Sequence, residues 1–65
     1  MDAMEIGARI KRARKALGVT QEELAELIGV STRTLGQVER GTGTPSLATV
    51  LAAAAAVGVR LEVIP

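Results

Sequence analysis

Apolar residues recur along this chain in short helical registers that glycine and proline interrupt. Ile6, Ile10, Ala13 and Leu17 return at three- and four-residue spacing, with Lys11, Arg12 and Lys15 on the far side. A stripe of that period predicts an amphipathic helix from about Ala3 to Leu17. Thr20 followed three residues later by Glu23 is a capping box, in which each side chain can bond the other residue's backbone N–H. The helix it starts runs from Gln21 to Ile28, buries Leu24, Ala25 and Ile28, and stops at Gly29, where a left-handed backbone costs glycine little. Ser31 caps a third helix that Gly41 ends. A fourth begins after Ser46, with Thr44 the alternative cap, and the spacing of Leu47, Leu51 and Ala54 predicts that these three are buried. After Gly58 the period changes: Val59, Leu61 and Val63 alternate with Arg60, Glu62 and Ile64, the signature of a strand.

The third helix has two unlike sides. At 100° per residue, Ser31, Leu35 and Val38 share one, whereas Arg33, Gly36, Gln37 and Arg40 share the other. Any solvated helix shows an outer face without apolar side chains. Gly36 is harder to explain, because a glycine inside a helix costs roughly 0.5–1 kcal/mol relative to alanine. On that side no core contact demands it, so the residue predicts that another surface comes close.

Length and composition narrow the chemistry. Sixty-five residues make one small domain, 1–65, and with no Phe, Trp, Tyr, His or Cys its core is built from Leu, Ile, Val, Ala and Met. The missing residues remove a thiol nucleophile, an imidazole base, the usual zinc sites and any disulfide framework. Asp2 is the only Asp, and neither Ser31 nor Ser46 has a base within this inventory, so no enzyme, metal or cofactor is expected. The longest apolar run, Leu51 to Val57, falls far short of the ~20 residues that cross a bilayer. The first residues lack a basic start and apolar stretch, so the expected compartment is the cytoplasm. Net charge is only +1, but Arg9, Lys11, Arg12, Arg14 and Lys15 crowd one segment and Glu22, Glu23 and Glu26 the next. Such a basic block is either a phosphate-facing patch or the solvated side of a helix.

Two short helices joined by a tight turn at Gly29, Val30 and Ser31 match the helix-turn-helix unit, here about 21–40. The run Thr20-Gln21-Glu22-Glu23-Leu24-Ala25, then Gly29-Val30-Ser31, Glu39-Arg40-Gly41 and Pro45-Ser46-Leu47 resembles the Cro and phage-repressor type, the xenobiotic-response-element family. The resemblance extends from about Ile6 to Val59. It implies an all-α, compact, four-helix repressor-like domain, to which the alternation at 59–64 adds a short C-terminal β-strand. It also implies sequence-specific binding of double-stranded DNA, with the third helix, about 32–40, in the major groove and a repressor or regulator of transcription as the role.

Within that resemblance, residues at the start and outer face of the third helix reach base edges: Thr32, Arg33, Gly36 and Gln37. Arg33 can pair with guanine O6 and N7, Gln37 with adenine N6 and N7, and the Thr32 methyl can meet a thymine methyl. Gln21, at the amino end of the second helix, would bind a phosphate, where exposed N–H groups and the helix dipole favour an anion. Ser31, Thr34, Arg40, Thr42 and Thr44 are the further phosphate candidates. The segment from Gly41 to Thr44 departs from many relatives in carrying no Lys or Arg, which predicts a shallow salt dependence. Arg14 and Glu39 both point inward on their helices, and the matching positions of the family form a buried ion pair.

Two further expectations concern partners. A homodimer would pair the terminal strands antiparallel about Leu61, setting Arg60 against Glu62 of the partner subunit. The ending from Gly58 to Val63 also resembles antitoxins that carry this domain, which makes a toxin partner the alternative reading, beside an engineered binder on the same scaffold.

Overall fold

The computed structural model describes residues 1–62 and 64. Four helices follow in order: α1 (Ala3–Ala16), α2 (Gln21–Ile28), α3 (Thr32–Arg40) and α4 (Leu47–Ala56). Each begins at a polar cap. Asp2 accepts the Glu5 N–H at 2.8 Å on α1. On α2 Thr20 accepts from the Glu23 N–H while the Glu23 carboxylate accepts from the Thr20 N–H, both at 3.0 Å, so the capping box is complete. The Thr20 backbone N–H, and after it the Thr20 side chain, hold the Glu23 carboxyl below its ordinary range. Ser31 caps α3 by accepting the Thr34 N–H at 3.0 Å, and Ser46 rather than Thr44 caps α4, accepting from Thr49 at 3.1 Å.

α3 is the centre of the fold. It crosses α1 and α2, and α4 closes the far side against α2. Ile10, Leu24 and Leu35 are the largest side chains wholly removed from water, joined by Ala25, Val38, Ala53, Ala54 and Val57. The crossing of α1 over α3 depends on Gly7. A methyl group there would run into the carbonyl oxygens of Val38 and Glu39, so the two backbones pass as closely as glycine alone permits. Between α2 and α3 the turn is three residues long. Gly29 takes φ +77° and the N–H of Val30 reaches back to the Ala25 carbonyl at 2.9 Å, which ends α2 and redirects the chain.

Three expectations change. Leu17 is 60% exposed, because α1 ends at Ala16 and Leu17 is already the cap residue beyond the stripe. On α4 the inward positions are Val50, Ala53 and Ala54, followed by the cap residue Val57, whereas Leu47 is 72% exposed and Leu51 46%. Ala54 is buried as expected. The small residues let α4 lie close on α2, and the bulkier leucines are left on its outer side. Among the described residues there is no strand. Val59 and Leu61 are half-buried against the domain's own core, Arg60 and Glu62 stay exposed, and Val63 lies outside the described residues.

Candidate nucleic-acid interface

The outward side of α3 carries the residues expected to read bases. Thr32 and Arg33 are exposed and Gln37 is half-exposed, while Leu35, Val38 and Glu39 on the opposite side are buried. Gly36 alters the picture. It is buried although it is on the outward side, and the Arg40 guanidinium lies over it: a Cβ built at Gly36 would sit 3.1 Å from Arg40 Nη1 and 3.8 Å from its Cζ. The surface expected to stand open is covered by a side chain from one turn further along.

Behind this face lies a closed polar network. Arg14 donates from Nε to Glu39 Oε2 at 2.6 Å and from Nη2 to Oε1 at 3.0 Å, a two-point pair between α1 and α3. Its Nη1 donates to the Val19 carbonyl at 2.9 Å, and Gln21 donates from Nε2 to Glu39 Oε1 at 2.9 Å. Both charged residues are only 6% exposed, so the inward placement expected of Arg14 and Glu39 is what the fold contains. Burial pushes the Glu39 carboxyl up, but the bonds from Arg14 and Gln21 and the charges of Arg14 and Lys11 outweigh it and hold it below the ordinary carboxylate range. The bond to Glu39 raises the Arg14 guanidinium despite desolvation. Lys11, one turn before Arg14, therefore stands within electrostatic reach of Glu39; the shared i, i+3 face could have suggested it from the chain alone.

The phosphate candidates flank α3. Gln21 is half-buried at the first position of α2, with one amide hydrogen committed to Glu39. The Ser31 hydroxyl donates to Thr34 Oγ1 at 2.9 Å while accepting the Thr34 N–H, so its own proton is spent and that of Thr34 is left to give. Thr42 and Thr44 are exposed in the segment after α3, where Thr42 Oγ1 accepts the Thr44 N–H at 3.3 Å. Arg9, Lys11, Arg12 and Lys15 are exposed along α1, and Glu22, Glu23 and Glu26 are exposed on α2.

A polar, cation-bearing helix held outward on a three-residue turn, with capped helix starts beside it, defines a helix-turn-helix DNA-binding domain. The helix-turn-helix family model matches residues 10–64, and the chain belongs to that family. The Uncharacterized HTH-type transcriptional regulator YazB of Bacillus subtilis (strain 168) is 44% identical over 54 residues, which are 83% of this chain and 78% of that protein. The Immunity repressor protein of Bacillus phage phi105 is 41% identical over 61 residues, 94% of this chain. An Uncharacterized HTH-type transcriptional regulator of Methanothermobacter thermautotrophicus is 53% identical over 38 residues. The chain spans 42% of the phage repressor's length and 55% of the archaeal regulator's. DNA binding in transcription regulation is the function of this domain, and the antitoxin reading finds no support in these relatives. Among the described residues no helix is long and apolar enough to cross a membrane.

Proposed function

We propose that this domain represses or regulates transcription by placing α3 in the major groove, where Thr32, Arg33 and Gln37 read base edges beside Gly36. The observation that carries this is the division of α3. Its inner side is fully engaged in the core and the Arg14–Glu39 pair, and its outer side is polar and cationic. In the reading, Gln21 uses its second amide hydrogen, and Thr34, Thr42 and Thr44 use hydroxyl protons, to bond phosphates on either side of the groove. Ser31 then acts by fixing Thr34 and through its backbone at the start of α3. Most of these groups are neutral, so few counterions are released; each neutralised phosphate contributes roughly −0.9 to the slope of log K against log salt. Such a domain works where the chromosome is, in the cytoplasm.

The reading includes a homodimer. One nine-residue α3 spans only part of an operator, and two copies would read half-sites ~34–36 Å apart. Met1, Leu47 and Leu51 are exposed along a groove that Leu61 and Glu62 also line, an apolar surface that a second copy would cover. Pairing of the tails would set Arg60 against the partner's Glu62. Selection from randomised duplex DNA tests the whole reading. It should return a near-palindrome whose half-sites contain a guanine lost from the consensus of Arg33→Ala. Recovery of no preferred site would overturn it.

A further inference from the structure

We infer that Arg40 is a base-reading residue of this domain, placed by Gly36 on the outer face of α3, and not a clamp on the phosphate backbone. Three observations carry this. Arg40 is the last residue of α3, and long side chains on a helix run back toward its amino end, over the residue four positions earlier. That residue is Gly36, whose outward position holds no side chain, and the guanidinium lies within van der Waals reach of it. Gly36 is buried, and the three atoms nearest to a Cβ built there all belong to the Arg40 guanidinium. The guanidinium has no carboxylate to hold it: among the described residues the one ion pair is Arg14 with Glu39, on the opposite side of α3. Its N–H fork is therefore left free on the outer face of α3, and such a fork suits guanine O6 and N7. The glycine gives up helix propensity and in exchange lets an arginine from the next turn occupy the site where a side chain at 36 would otherwise stand.

This rests on the proposal that α3 lies in the major groove, and the experiment separates the two. Affinities of the parent chain, Arg40→Ala, Arg40→Lys, Gly36→Ala and Arg33→Ala would be measured on the selected duplex, on its single-base variants and on random duplex. Arg40→Ala should lose roughly tenfold on the selected site and flatten preference at one base pair, distinct from the pair flattened by Arg33→Ala. Arg40→Lys, which keeps the charge but not the fork, should not restore it. Gly36→Ala pushes a methyl against Nη1, so it should weaken preference at the same base pair as Arg40→Ala, and the two changes together should do little more than either. Because alanine is the better helix former, Gly36→Ala should melt no lower than the parent, which separates misplacement of Arg40 from unfolding. In the free protein, proton–proton contacts from the Gly36 α-hydrogens to the Arg40 side chain should be seen by NMR. Loss by Arg40→Ala that is equal on every duplex, with the salt slope shallower by about 0.9, would assign Arg40 to a phosphate and overturn the inference while leaving the reading by α3 intact. Absence of any site preference in the parent would instead remove the reading itself.

Discussion

The two sides of α3 handle charge in opposite ways. On the inner side Glu39 is almost wholly buried, and both its oxygens are taken by Arg14, with Gln21 adding a third bond. On the outer side Arg33 is exposed and Arg40 rests on a glycine, with no carboxylate beside either among the described residues. A buried charge with every bond satisfied holds the fold in one arrangement, whereas an unpaired cation in water is left free for a ligand that brings acceptors. The same residue type, arginine, thus serves structure at position 14 and, in the proposed reading, recognition at positions 33 and 40. Burial and partner supply the difference.

The largest effect should come from breaking the inner side. Arg14→Ala or Glu39→Ala strands the remaining charge and should cost on the order of 3–5 kcal/mol in denaturant unfolding, while Arg14→Leu combined with Glu39→Leu should be far milder. If the single variants unfold like the parent, the pair contributes no more than a surface contact. On the outer side the same chemical change should behave differently. Arg33→Ala should leave the unfolding midpoint within the range of ordinary surface substitutions, about 0.5 kcal/mol, yet cost about 1–3 kcal/mol on the selected site. Gln21→Ala should weaken selected and random duplex by similar factors, because phosphates carry no sequence information.

Acid sharpens the contrast further. The Glu39 carboxyl is depressed in the folded state, so its contribution to stability is complete above the ordinary value of 4.5 and is lost as pH falls through its lower folded value. Unfolding midpoints followed from neutral pH down to about 3 should therefore fall more steeply for the parent than for the Arg14→Leu, Glu39→Leu chain. Parallel curves would show that Glu39 does not carry this term. The smallest expected effect on the fold lies elsewhere: Leu47→Ser and Leu51→Ser on the exposed side of α4 should change monomer stability little. If that side meets a second copy, the same changes should shift sedimentation at micromolar concentration toward monomer.

These contrasts also explain which parts of the molecule could be read in the chain. Thr20, Glu23, Ser31 and Ser46 act within three residues of their own positions, so their capping roles are local and the helix starts follow from them. The core side of α3 is legible because Leu35 and Val38 repeat on a helix whose other side is polar. α4 lacks that contrast. With Thr49 the one polar residue from Leu47 to Ala56, spacing does not show which side is inward, and the closeness of α2 decides for the alanines. Gly7 is silent for a similar reason, since its neighbours Val38 and Glu39 are distant in sequence. At the interface, the residues on the outer face follow from the helical wheel. The third bond on Glu39 from Gln21 and the cover of Gly36 by Arg40 are not legible, because they depend on where side chains from other turns and helices come to rest.

Whether α3 carries the DNA-reading surface is decided by a nitrogen–proton NMR titration with the selected duplex. The largest shifts should gather on the amides of Gln21 and of residues 31–37, and on the side chains of Arg33, Gln37 and Arg40. Those of α4 outside any dimer contact should stay near their free positions. Shifts centred instead on Arg9, Arg12 and Lys15 of α1, with α3 unmoved, would place the nucleic acid on the basic block and remove α3 as the reading helix.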